Sequence, residues 1–166
     1  MEVKQRNYFR DEYPHLTLDS LYNGESEAIS KLDYILEAII TTEAPITLNL
    51  LKERLREVFD IKKISQKALD IIQQELNKIG FPTSKELFDT VYWSLDGYYL
   101  PKYVRISNRT IYDIPKEELS LVMEQYLNSD EETIFRKTLE FFGYEALTEK
   151  AKAHLNYILN YIRNEK

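Results

Sequence analysis

The chain has 166 residues, 43% of them hydrophobic and 30% charged, with a net charge of −6. That length buries about 70% of the unfolded surface, enough for one core or two small ones, and the composition excludes a disordered chain. The absence of cysteine excludes disulfides and thiol catalysis and fits a reducing cytoplasm, and the negative balance argues against a generic polyanion binder.

Residues 1–25 read as an N-terminal arm. Tyr8, Phe9, Tyr13, Leu16, Leu18, Leu21 and Tyr22 follow no clean period, and Asn23-Gly24 signals a turn. The aromatics of the arm are expected to pack onto the body. From about Ser26, the residues Ile29, Leu32, Leu36, Ile39 and Ile40 fall on one helical stripe. That helix should end near Thr42, because Pro45 disfavours helical geometry just before it. Thr47 is placed to cap a second helix with Leu48, Leu51, Leu55 and Val58 inward. Phe59 to Ile64 makes a turn, and Ser65 caps a third helix that buries Ala68, Leu69, Ile72, Leu76 and Ile79. Gly80 followed by Phe81-Pro82 stops it.

Thr90-Val91-Tyr92-Trp93 is rich in strand formers, Asp96-Gly97 is a strong turn dipeptide, and Tyr98-Tyr99-Leu100 follows. Tyr103 to Ile106 either extends that second strand beyond a Pro101 bulge or forms a third. Helices followed by a hairpin give the order of a winged helix, with this hairpin as the wing. Pro115 then opens a helix with Leu119, Val122, Met123 and Tyr126 inward. Ser129-Asp130-Glu131-Glu132 reads as a capping box before a helix with Ile134, Thr138, Phe141 and Phe142 inward. Gly143 ends it, and Thr148 caps a last helix burying Ala151, Leu155, Ile158, Leu159 and Ile162. No apolar run of ~18 residues occurs, and Met1 to Pro14 lacks a signal peptide's apolar region. A cytoplasmic chain with no membrane partner is expected.

Sliding the chain by 83 positions superposes its two halves without a gap. Leu36 meets Leu119, Ile39 meets Val122, Leu51 meets Ile134, Phe59 meets Phe142, Ser65 meets Thr148, Ala68 meets Ala151 and Leu76 meets Leu159. The match includes the turn aromatic and the following cap, which amphipathicity alone would not supply. The expected fold is mainly α with a small β-hairpin, built from duplicated three-helix helix-turn-helix units, the first of them winged-helix-like. Residues 26–110 would hold the first repeat with its hairpin and residues 111–166 the second, the two packed as one compact domain.

The copies differ in charge. Lys52 to Lys67 carries six bases against three acids, whereas Asp130 to Lys152 carries four against six. Arg54, Arg56, Lys62, Lys63 and Lys67 cluster around the first turn and the start of the third helix, where a helix-turn-helix faces the groove. A plain solvated face is the competing account of them. Lys102, Arg105 and Arg109 in the expected wing raise the nucleic-acid reading, since two elements would then converge on one side.

Catalytic chemistry finds little footing. Gly24 to Lys31 lacks the Gly-Lys step of a phosphate-binding loop. Asp89 and Asp96 flank a strand, but surface turn acids explain them better than a nuclease site does. Two histidines without cysteine do not make a zinc site. His154, at the edge of the last helix's apolar face, reads as a packed or half-exposed histidine, and His15 carries no signal. Trp93 and most of the 13 tyrosines read as core and core rim rather than as base-stacking platforms.

Glu43-Ala44-Pro45-Ile46, Phe59 to Ile64, Tyr92-Trp93, Asp113 to Glu118 and Phe142-Gly143-Tyr144 occur in a characteristic order and spacing. Over residues 25–162 the chain resembles the C-terminal domain of large bacterial superfamily I helicase-related proteins, the domain of unknown function 3320. That family usually has Gly where this chain has Asp60, and an Arg-rich turn where this chain has Glu145-Ala146. The resemblance implies an accessory domain that assists nucleic-acid engagement while the motor sits elsewhere. The expected function is therefore a non-catalytic module, with no cofactor, metal or small-molecule substrate. Its partner would be DNA, bound weakly and salt-sensitively through the first repeat and its wing, or the motor portion of a helicase-related protein. The alternative is a protein-interaction or oligomerisation module without nucleic-acid contact.

Overall fold

A computed structural model describes residues 1–5, 16–98, 102–106 and 108–165. In chain order these form strand β1 (Glu2–Gln5), helix α1 (Leu18–Tyr22), helix α2 (Ser26–Glu43), strand β2 (Ile46–Thr47), helix α3 (Leu48–Phe59) and helix α4 (Gln66–Ile79). Strands β3 (Thr83–Lys85), β4 (Thr90–Tyr92) and β5 (Tyr103–Ile106) follow, then helices α5 (Lys116–Met123), α6 (Glu131–Phe141) and α7 (Glu149–Glu165). The protein is mainly helical with a small antiparallel sheet, as its periodicity predicts. The described residues fall into two units: 16–84 with 91–98, and 1–5 with 85–90, 102–106 and 108–165.

In the first unit, α2, α3 and α4 close around Leu32, Ile35, Leu36, Ile39, Leu51, Leu55, Ile72 and Leu76, all essentially inaccessible to solvent. β2 pairs antiparallel with β4, Ile46 opposite Tyr92 and Thr47 opposite Val91, and the strand order is β2-β4-β3. Helix, strand, two helices and two strands, with the last strand in the middle of the sheet, is the topology of a winged helix. Trp93 is buried and its indole donates to Ser84 Oγ at 2.8 Å, consistent with a core role.

In the second unit, α5, α6 and α7 enclose Leu119, Met123, Ile134, Phe135, Leu139, Leu155, Ile158 and Leu159. β1 pairs in parallel with β5, Val3 opposite Val104.

The duplication is visible in individual hydrogen bonds. The Thr47 hydroxyl accepts from the Leu50 amide, and the Asp130 carboxylate accepts from the Thr133 amide at the matching position. The Ser65 hydroxyl accepts from Ala68 N–H and the Thr148 hydroxyl from Ala151 N–H, both at 3.1 Å. At the far end of the middle helix, Ile61 N–H reaches the Arg56 carbonyl at 3.1 Å, and Tyr144 N–H reaches the Leu139 carbonyl at 2.9 Å. These bonds satisfy the orphan donors and acceptors that every helix end leaves. The two units close their helix ends at matching positions, with a hydroxyl in one and a carboxylate in the other at the first cap.

Three expectations need correction. Tyr103–Ile106 does not pair with β4, because β4 already has β2 on one side and β3 on the other. With no free edge there, Tyr103–Ile106 pairs with β1 instead. The wing of the observed topology is the β3–β4 turn at residues 86–89. The cap of α6 is Asp130 rather than Ser129, while the Glu132 side chain pairs with Arg136. Phe135 and Leu139 carry the inward face of α6 together with Ile134 and Thr138, leaving Phe141 and Phe142 half-buried. The arm aromatics Tyr8, Phe9 and Tyr13, with His15, Tyr99, Leu100 and Pro101, lie outside the described residues.

Candidate nucleic-acid interface

The structure separates seven of the eight candidate bases into three kinds. Lys62, Lys63 and Lys67 are exposed, on the α3–α4 turn and the first turn of α4. The Lys67 ammonium stands 4.4 Å from the centroid of the Tyr22 ring, whose hydroxyl is 3.1 Å from Ser65 Oγ. Arg54 and Arg56 belong to the second kind, tied down locally. Arg54 Nε donates to both oxygens of the buried Glu43 carboxylate, at 2.9 and 3.1 Å, with its side chain only 11% exposed. Arg56 donates to Glu53 at 2.7 Å.

Arg105 and Arg109 are the third kind. They are 6% and 4% exposed, and both guanidinium groups converge on the fully buried carboxylate of Glu118. Arg105 Nε donates to Oε1 at 2.9 Å and its Nη2 to Oε2 at 3.0 Å, while Arg109 Nη1 donates to Oε2 at 2.8 Å. Arg109 also donates to the Arg105 carbonyl, and the Tyr144 hydroxyl donates to the Arg109 carbonyl. Burial pushes the Glu118 carboxyl upward, but the two guanidinium groups override it and hold it at about 2. Neither arginine presents its charge to solvent, so the expectation that they are wing contacts is corrected. Lys102 is exposed and lies outside the β3–β4 turn. The wing turn itself carries Glu86 and Asp89, which are acids.

The outer face of α4 and its counterpart on α7 have different fates. Lys67, Ile71, Gln74 and Lys78 are spaced to form one stripe along α4. Lys67, Gln74 and Lys78 are exposed and Ile71 is half-buried. At the matching positions of α7 stand Lys150, His154, Tyr157 and Tyr161. The Lys150 ammonium lies 4.1 Å from the Tyr112 centroid and 5.0 Å from that of Phe88. His154 is fully buried between the Phe88 and Tyr112 rings. The Tyr157 hydroxyl donates to the Lys85 carbonyl at 3.2 Å, and the Lys116 ammonium lies 5.2 Å from the Tyr161 centroid. In the second copy, the face that a helix-turn-helix turns to a groove is taken up by the unit's own residues.

This packing holds two perturbed groups, Glu86, which the sequence did not flag, and His154, which it placed at the edge of the apolar face of the last helix. Glu86 is buried, one oxygen accepting from the Lys116 amide at 3.0 Å. Burial and the nearby Glu117 push its carboxyl up to about 7, against the pull of Lys116. Burial pushes the His154 imidazole down to about 4, reinforced by Lys150 and opposed by the Ile111 backbone and Asp113. No hydrogen bond of full geometry reaches either ring nitrogen. A titratable ring at the edge of an otherwise apolar stripe was the available signal for His154. For Glu86 there was none, since its burial depends on residues far along the chain.

Among the described residues, no group of three or more His, Asp or Glu could hold a metal ion, and no helix is long and apolar enough to cross a membrane. The outer face of α4 is thus exposed, whereas the matching face of α7 is covered by side chains of its own unit. Compared with family models, curated proteins and solved structures, the chain matches none.

Proposed function

We propose that the chain is a non-catalytic accessory module whose first unit binds duplex DNA through the α3–α4 turn and the outer face of α4. One observation carries the reading: Lys62, Lys63 and Lys67 stand exposed at the end of α4 that a winged helix turns toward the groove. Three phosphate contacts on an acidic chain give weak binding that falls steeply with salt. The resemblance to helicase-related tail domains supports a place beside the motor portion of such a protein in a bacterial cytoplasm. The test is duplex-DNA binding at low salt, wild type against Lys62→Glu/Lys63→Glu. Loss of binding in the variant is expected, and an unchanged variant sinks the reading.

A second observation favours protein docking. A groove of about 470 Å³ lies at the same end of α3, floored by Leu16, Leu18, Val58, Phe59 and Ile61 and rimmed by Asp19 and Asp60. An apolar floor with an acidic rim suits an apolar segment flanked by bases, or a second copy of the chain. Sedimentation over a range of concentrations, with Val58→Arg as control, tests self-association. A concentration-independent monomer would remove that form of the reading.

A further inference from the structure

The lysines at the start of α4 fix where a duplex would lie, but they carry no sequence information. The rest of the outer face is chemically unusual for a surface helix, because its charges are already committed. Gln66 Nε2 donates to Asp70 Oδ1 at 2.7 Å, which ties the two side chains to each other. The Lys78 ammonium is held between Glu75 at 3.4 Å and Asp33 at 3.8 Å. That leaves two exposed amides, Gln74 and Asn77, three positions apart and therefore neighbours on the helix surface. A primary amide presents one donor and one acceptor side by side, which matches N6 and N7 of adenine in the major groove.

We infer that α4 reads adenine in the major groove of duplex DNA through Gln74 and Asn77; the inference rests on the DNA-binding reading above. The duplicated scaffold sharpens it. At the matching positions α7 has Tyr157 and Asn160, and Tyr157 is engaged with the Lys85 carbonyl. The base-reading pair belongs to the first copy alone.

The test uses the full chain and fluorescence anisotropy on three labelled duplexes at low salt. One is made only of A·T pairs, one only of G·C pairs, and one of A·T pairs in which CH replaces adenine N7. Binding to the A·T duplex should be about tenfold tighter than to the G·C duplex, within the range expected for bidentate base contacts. Loss of N7 should bring it down to the G·C level. Gln74→Ala/Asn77→Ala should do the same while leaving G·C binding unchanged, and both substitutions fall on exposed positions that leave the core intact. Equal affinity for the first two duplexes overturns the inference and leaves the DNA-binding reading standing. So does a preference that survives either the N7 replacement or the double alanine variant. No binding to any duplex overturns both.

Discussion

Asp60 and Gly143 occupy the same place in the two copies, just past the end of the middle helix, and both have left-handed backbone, φ 52 and φ 84. Each allows the following amide to close back on the helix, Ile61 onto Arg56 and Tyr144 onto Leu139. Glycine takes this conformation without a steric cost, whereas aspartate holds it against a Cβ clash. With Asp60 in place of glycine, the first copy keeps the turn and accepts the strain.

Asp60→Gly should therefore stabilise the protein by about 0.5–1 kcal/mol, and Gly143→Ala should destabilise it by about 1 kcal/mol. Nothing lies within 4 Å of a Cβ built at Gly143, so the cost there is conformational rather than steric. Urea unfolding of the two variants measures both signs. Equal and opposite behaviour of the two sites would confirm that the copies share one turn.

The buried Arg105–Glu118–Arg109 cluster makes a different prediction. Glu118→Gln leaves two guanidinium groups in the interior without a counter-charge and should cost about 3–5 kcal/mol. Because the folded carboxyl sits below its ordinary value, the stability it supplies is present above about pH 4.5. That stability is lost as pH falls toward 2. An unfolding free energy unchanged in the variant at pH 7 would refute the structural role.

Much of this was legible from the chain, and the boundary falls between local and remote causes. Ser65 and Thr148 announce helix starts through their own chemistry, and the structure finds their hydroxyls on Ala68 and Ala151. Gly80 announces a stop and takes φ 83. β1 was not legible, because Glu2–Gln5 becomes a strand only through pairing with residues a hundred positions away. Arg105 and Arg109 look like Lys102 in sequence. What distinguishes them is Glu118, a carboxylate on the same stripe as Val122, and a charge on an inward face was the clue that they serve the interior. The wing was misplaced for a related reason: strand propensity found β4, but only the sheet shows that both its edges are taken.

Glu86 and His154 should give the protein opposing pH responses. The Glu86 carboxyl is raised, so its contribution to stability is largest below about pH 4.5 and is lost as pH climbs through 7. Glu86→Gln should then stabilise at pH 8, by up to about 3 kcal/mol, and do little at pH 4.5. The His154 imidazole is depressed, so its contribution is present above about pH 6.5 and erodes as pH falls toward 4. His154→Phe should flatten that acid limb. Thermal melts from pH 4 to pH 8 read both, and parallel pH curves for wild type and the two variants would contradict the assignment.

The central claim is that Lys62, Lys63 and Lys67 meet phosphate, and the salt dependence of duplex binding tests it most directly. Three contacts predict a plot of log affinity against log salt with a slope of about −3. Lys62→Ala/Lys63→Ala should reduce the slope to about −1, whereas Lys102→Ala, on the second unit, should leave it unchanged. A wild-type slope near zero, or a slope unaltered in the double variant, would contradict the account.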